Sequence, residues 1–109
     1  MGKLEFIHSG NFDEKVMKSD VPVLIDFYAD WCAPCKMMEP AVEAVADAYK
    51  DKLKVYKLDV DENPMIAAKF HIMSIPTIMV FKDGAPVSSI VGAVTIKSLA
   101  KKLDSILGE

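Results

Sequence analysis

Apolar residues along the chain form five runs of strand length, separated by stretches with helical spacing. One run, "PVLIDFYA" (residues 22–29), is apolar almost throughout, which is typical of a strand covered on both faces. The pattern therefore predicts five strands. The other four runs are "KLEFIH" (3–8), "LKVYKLDV" (53–60), "TIMVF" (77–81) and "PVSSIV" (86–91).

The stretches between and after these runs predict four helices. They lie within residues 9–19, 35–50, 61–72 and 96–107. Pro40 falls inside the second helix and removes one backbone hydrogen bond, so we expect a kink there. Asn63 can cap the third helix, with Pro64 in its first helical position.

The order of these elements indicates an α/β fold. Strands alternate with helices over most of the chain, which favours parallel pairing through right-handed crossovers. The last two strands flank "KDGA" (82–85), whose Asp-Gly pair is a strong hairpin signal. We therefore predict a single domain over residues 1–109, with a central mixed sheet of about five strands and helices on both faces.

Composition narrows the classes of function. The 109 residues are 51% hydrophobic and 27% charged, as in an ordinary globular protein. The net charge is −3 and all 13 basic residues are lysines, so we expect no nucleic-acid partner. The start "MGKLEFIHSG" lacks the apolar segment of a signal peptide, and no run reaches the roughly 20 residues of a membrane span. We expect a cytoplasmic protein without a membrane partner.

Cys32 and Cys35 are the only cysteines, and three interpretations compete for them. A zinc site normally needs four ligands, and the only histidines, His8 and His71, stand alone, so we expect no metal. A structural disulfide that closes so short a loop would constrain the unfolded chain little. In a reducing compartment such a pair is more often metal-binding or catalytic, which leaves a redox pair as the favoured interpretation.

The position of the pair supports redox chemistry. The cysteines lie between a buried strand and a long helix, where free N–H groups and the helix dipole favour a thiolate. A spacing of i and i+3 brings the two sulfurs within disulfide reach. We predict that Cys32 is the outer nucleophile and Cys35 the buried resolving thiol.

Three nearby residues each allow two interpretations. Asp26 is the one charge in its strand, and it either meets water at an edge or is a buried carboxyl that takes a proton from Cys35. Lys57 points either inward or to solvent. Trp31, the sole tryptophan, is either a core residue or, as its position favours, an exposed contact at the mouth of the site.

Four stretches resemble thioredoxins, over essentially the whole chain. They are "DFYADWCAPCK", "LDVDENP", "SIPTIMVFKDG" and the pair Val91–Gly92. The resemblance implies the thioredoxin fold and general protein disulfide reduction by a redox-active Cys32–Cys35 disulfide. Thioredoxins usually carry Gly-Pro between the cysteines, whereas this chain carries Ala33 and Pro34. Dithiol chemistry survives that change, but the resemblance does not fix the reduction potential or the reductant.

The resemblance also implies roles for other residues. Asp26 and Lys57 would pair, and the bond before Pro76 would be cis, facing the disulfide. Backbone groups of Ile75 and Gly92 would bind an extended substrate strand.

Substrate would also contact Trp31 and Ala33, and we expect Met73, in the loop before Pro76, to touch partners. Protein disulfides would be the substrates, and a thioredoxin reductase would supply electrons from NADPH. No cofactor is expected on this chain, which lacks the GxGxxG and P-loop patterns. We expect a monomer. A disulfide oxidase or isomerase, or a non-catalytic binding module with the same fold, remains the alternative.

Overall fold

The computed structural model describes residues 4–108 and contains a five-stranded sheet, three α-helices and one π-helix. The strands are β1 (Glu5–Phe6), β2 (Val23–Tyr28), β3 (Lys54–Asp59), β4 (Thr77–Lys82) and β5 (Ala85–Val91). The α-helices are α1 (Ala33–Ala48), α2 (Pro64–Lys69) and α3 (Ile96–Leu107), and the π-helix is Asp13–Met17. All five predicted strands and three of the predicted α-helices are present.

The sheet has the order β1-β3-β2-β4-β5. β1, β3 and β2 run parallel, β4 is antiparallel to β2, and β5 is antiparallel to β4. This arrangement confirms the predicted mixed sheet. β2 lies at its centre, and all six of its residues are buried, as its continuous apolar sequence predicts.

Each face of the sheet carries its own apolar core. On one face, Leu24 and Ile78 pack with Met38 of α1 and Leu103 of α3. The other face is covered by α2 and the π-helix. Its core includes Phe12, Val16, Ile25, Phe27, Leu58, Ile66 and Phe81. Helices therefore cover both faces, as predicted, and the ends of β2 and β3 lie between the two layers.

The hairpin between β4 and β5 turns at Asp83 and Gly84. Both have positive φ, 53° and 78°, as a type I′ turn requires. A Cβ atom on Gly84 would lie 2.8 Å from the carbonyl oxygen of Met17. Glycine is thus required here both by conformation and by the close approach of the π-helix.

Several element boundaries differ from the predicted ones. The segment 9–19 forms a five-residue π-helix, and α2 ends at Lys69 rather than near residue 72. Asn63 occupies the N-cap of α2, but its side chain accepts a hydrogen bond from the Ser9 N–H and donates one to the Asp59 carbonyl. It therefore ties three segments together instead of capping the helix. Lys3, the predicted first residue of β1, lies outside the described residues.

Candidate active site

Cys32 and Cys35 form a disulfide at the beginning of α1, with their Cα atoms 5.3 Å apart. Cys32 is the N-cap residue, in an extended conformation, and its Sγ accepts a hydrogen bond of 3.1 Å from the Cys35 N–H. Ala33 and Pro34 occupy the first two helical positions, where a proline is tolerated because its missing N–H would have no partner. α1 therefore begins two residues before the predicted start, because a cysteine acts as its cap.

The two sulfurs differ in the space they face rather than in their exposure. Cys32 is 3% exposed and Cys35 is 4% exposed, so accessibility does not mark Cys32 as the outer thiol. Cys32 lines an open groove of about 600 Å³. Cys35 instead lines a pocket of about 90 Å³ behind the disulfide, together with Asp26. Cys32 thus faces the open groove and Cys35 the closed pocket, and which of them attacks substrate stays a prediction.

The groove is largely apolar. Trp31 is exposed, and its indole N–H donates a 2.7 Å hydrogen bond to the Asp61 carboxylate, which fixes the ring beside the disulfide. Met73 is 91% exposed, the highest value among the large apolar side chains described. The groove is lined by Trp31, Cys32, Ala33, Pro34, Val60, Ile72, Met73, Ser74 and Ile75.

Three of these lining residues, Val60, Ile72 and Ser74, were missed by sequence reasoning. Val60 follows β3, and the other two belong to the segment between α2 and β4. That Val60 comes directly after β3 was a usable signal, because the ends of neighbouring parallel strands meet at one edge of a sheet. The irregular path of residues 71–76 gave no comparable signal.

Pro76 and Gly92 lie beside the groove but are not part of its lining. The Ile75–Pro76 bond is cis, as the resemblance implies. The Gly92 N–H donates a 2.8 Å hydrogen bond to the Pro76 carbonyl, so that N–H is already engaged. Gly92 has a φ of 91° and no atom within 4 Å of the position that a Cβ would take. Its backbone conformation, rather than crowding, favours glycine.

Asp26 is buried at the centre of the sheet, with 1% of its surface exposed. Its neighbours in register are Lys57 on β3 and Ile78 on β4. Within the described part of the chain its Oδ1 has no hydrogen-bond partner. Burial raises the pKa of Asp26 from 3.8 to about 7, with the positive charge of Lys57 lowering it and the negative charge of Glu39 raising it.

Lys57 points inward, but its ion pair differs from the expected pairing with Asp26. The ammonium forms a salt bridge with Glu39, one turn beyond Cys35 on α1. It also lies 4.4 Å from the centre of the Tyr28 ring. Sequence reasoning missed Glu39, although the spacing of i and i+4 from Cys35 places both residues on one face of α1.

The described residues, 4–108, contain no group of three or more histidine, cysteine, aspartate or glutamate side chains placed to hold a metal. None of the helices in that range has the length and apolar character needed to cross a membrane.

Comparison with known proteins adds a family match. The thioredoxin family model matches residues 3–105. Thioredoxin from Staphylococcus haemolyticus is 52% identical over 93% of this chain and 95% of its own length. Thioredoxin 1 from Synechococcus elongatus is 46% identical over 93% of this chain and 94% of its own length. The chloroplastic M-type thioredoxin of Chlamydomonas reinhardtii is 45% identical over 93% of this chain and 72% of its own length.

Proposed function

The chain belongs to the thioredoxin family, and we propose that Cys32 is its attacking thiolate and Cys35 its resolving thiol. The protein is a protein-disulfide reductase that works by dithiol–disulfide exchange. Its active site is the redox-active Cys32–Cys35 disulfide, and no cofactor is bound. The assignment of roles to single residues is supported by the contrast between the open groove and the closed pocket.

The cycle begins with both cysteines reduced. The Cys32 thiolate attacks one sulfur of a substrate disulfide, that bond breaks, and the first substrate thiolate leaves and takes up a proton. Cys35 then loses its proton and attacks the Cys32 sulfur of the mixed disulfide, which releases the second substrate thiolate. The substrate gains two electrons and two protons, and the protein is left with its own disulfide.

Asp26 is proposed as the base that takes the proton from Cys35. Both residues line the same pocket, so proton transfer needs no route through the groove. A base works best when its pKa is near the working pH, and burial raises the pKa of Asp26 to about 7. Lys57 is proposed as a supporting residue that keeps this value from rising further.

The groove is proposed as the docking site for substrate. An extended peptide would lie against Trp31, Ala33 and Met73 and pair with the backbone of Ile75. Because the Gly92 N–H is engaged with Pro76, only the Gly92 carbonyl remains for substrate. Pro76 and Pro34 would support the shape of the groove.

Family membership implies disulfide-containing protein substrates and a reductase partner in general. We propose more specifically a thioredoxin reductase that uses NADPH, a monomeric single domain over residues 1–109, and a cytoplasmic location. A relative named as chloroplastic makes an organelle the competing location. Fractionation of the source cells would decide between them.

The proposal depends on one observation: Cys32 lines the open groove, whereas Cys35 lines the closed pocket. Trapping of mixed disulfides tests it. Cys35→Ser should accumulate covalent adducts with disulfide proteins, because Cys32 attacks and nothing resolves the product. Cys32→Ser should trap almost none. Equal trapping by the two variants on a non-reducing gel would overturn the assignment of nucleophile and resolver.

A further inference from the structure

The ammonium group of Lys57 forms its ion pair with Glu39, although Asp26 lines the same pocket. Glu39 forms its ion pair, and the rings of Tyr28 and Phe6 lie 4.4 and 5.3 Å from the nitrogen. Lys57 is mostly buried and Glu39 only partly exposed, so the pair is less screened than a surface salt bridge. The three groups together give the ammonium a defined position.

Asp26 is the alternative partner that this arrangement leaves aside. It is adjacent to Lys57 in the sheet, yet its Oδ1 has no hydrogen-bond partner among residues 4–108. A buried carboxylate with an ammonium nearby would ordinarily form that pair, because an unpaired buried charge is costly. Glu39 lines the same pocket and offers the ammonium a carboxylate that is partly exposed to water.

We propose that Glu39 is a positioning residue for the resolving step: it holds the Lys57 ammonium away from Asp26 and so leaves the Asp26 carboxyl free to exchange a proton with Cys35. The effect on proton exchange with Cys35 rests on the proposed function of Asp26 as base. Glu39 itself does not touch the reacting sulfurs in this scheme. Its principal action is on Lys57, beside the direct effect by which its own negative charge raises the pKa of Asp26.

The chemical reason is that a carboxylate paired directly with an ammonium is a poor base. Such a pair stabilises the ionised form of the carboxyl group and so lowers its affinity for a proton. Because Lys57 is paired with Glu39, its positive charge stabilises the Asp26 carboxylate less than a direct ion pair would. The titratable and charged groups around Asp26 are Lys57 from β3, Tyr28 from its own strand, Asp30 from the following loop, and Cys35, Lys36 and Glu39 from α1.

The test is an NMR titration of the Asp26 carboxyl carbon in the oxidised protein, with the signal assigned by its loss in Asp26→Asn. The variants are Glu39→Gln and Glu39→Ala, so that any hydrogen bond kept by glutamine is removed in the second. Asp47→Asn, an exposed acid on the same helix, removes one charge from α1 away from the pocket and is the matched control. We expect the titration midpoint of Asp26 to fall by about one pH unit in both Glu39 variants and to stay in place in the control.

A double-variant cycle separates positioning from the direct effect of the Glu39 charge. In a Lys57→Met background, Glu39→Gln should change the Asp26 midpoint much less than it does in the parent. An equal change in both backgrounds overturns the positioning role, because the charge of Glu39 then acts on Asp26 directly. An unchanged or raised midpoint in the single Glu39 variants overturns it as well.

Kinetics tests the link to the resolving step. Release of the second thiol from a small aromatic disulfide, followed after rapid mixing with reduced protein, should begin at lower pH in Glu39→Gln. In an Asp26→Asn background, Glu39→Gln should have no effect on this pH profile. If Asp26→Asn alone leaves this pH profile unaltered, the base assigned under the proposed function is wrong. The carbon titrations would still uphold or overturn the action of Glu39 on Asp26 by themselves.

Discussion

At the scale of one residue, burial of the Asp26 carboxyl makes the stability of the fold depend on pH. The fold removes its carboxyl from water and raises its pKa from 3.8 to about 7. A change of that size corresponds to about 4 kcal/mol of preference for the protonated form. The folded protein therefore holds a proton that the unfolded chain would release, and ionising Asp26 at neutral pH and above destabilises the fold.

Replacing Asp26 with alanine should therefore stabilise the protein in a pH-dependent way. Because the folded pKa lies above the unfolded value, the ionisation penalty is absent below about pH 4, grows as pH rises toward 7, and is constant above that. The gain for Asp26→Ala should be about 3 kcal/mol larger at pH 8.5 than at pH 4.5. Urea melts across this range would measure it, with Asp20→Ala, an exposed acid, as control. A gain that does not vary with pH would mean that Asp26 is hydrated.

Ala33 allows stability and redox potential to be separated. Glycine at this first helical position would give the unfolded chain more freedom, so Ala33→Gly should cost roughly 0.5–1 kcal/mol. The potential changes only if the methyl group affects oxidised and reduced forms differently, and we expect a change below about 30 mV. Equilibration with glutathione buffers measures the potential. Ala44→Gly, further along α1, is the control and should lower the stability without changing the reduction potential. A change in potential several times larger than about 30 mV for Ala33→Gly would mean that the methyl group shapes the active-site turn.

At the scale of elements, the sequence predicted what depends on apolar pattern and less of what depends on partners distant in sequence. The runs for β2 and β4 and the spacing in α1 and α3 each place apolar side chains on a buried face, which the pattern encodes directly. The cap of α2 could not be predicted in this way. Asn63 has a cap-forming side chain, but Ser9, far away in sequence, donates its N–H to that side chain, and the nearby Asp59 carbonyl accepts from it.

The start of α3 is a case in which a local cap does form. The Thr95 hydroxyl accepts a 3.1 Å hydrogen bond from the Ser98 N–H at the beginning of the helix. Thr95→Ala should therefore destabilise the protein by about 1 kcal/mol. Ser105→Ala, at an exposed position within the same helix, should be neutral or slightly stabilising, because alanine favours the helix interior. Equal losses for the two variants in denaturant melts would contradict a capping role.

At the scale of the whole molecule, the candidate site is assembled from segments that only the fold brings together. The cysteine turn could be predicted because two cysteines and a helix start are adjacent in sequence. The groove needs the end of β3 and the segment before β4, and the pocket needs a lysine from β3 to meet a glutamate from α1. The sequence alone left Lys57 either inward or in solvent, and the resemblance favoured an inward pairing with Asp26. Two carboxylates line the pocket that Lys57 enters, and side-chain packing decides between them.

Met73 offers a test of this assembled groove. A carboxylate at this exposed position would face an apolar docking surface, so Met73→Asp should lower kcat/KM for a protein disulfide by about tenfold. A small aromatic disulfide, which does not span the groove, should react at the parent rate. Met65→Asp, at a similarly exposed position on α2 outside the groove lining, is the matched control. Equal losses for both variants, or for both substrates, would argue against docking at Met73.

The placement of Cys32 at the cap of α1 also determines how strongly the protein gives away electrons. Folding and thiol oxidation form a closed thermodynamic cycle. If the fold stabilises the reduced Cys32 thiolate, it favours the disulfide less by the same free energy, and the protein becomes a weaker electron donor. In the disulfide, the Cys35 N–H donates a hydrogen bond to the Cys32 sulfur, and the same N–H would stabilise a Cys32 thiolate more strongly because that sulfur carries a charge. The loop that the disulfide closes is too short for chain entropy to add much. The driving force for electron donation is thus a property of one helix end and its pocket, and core substitutions elsewhere should change stability while leaving it in place.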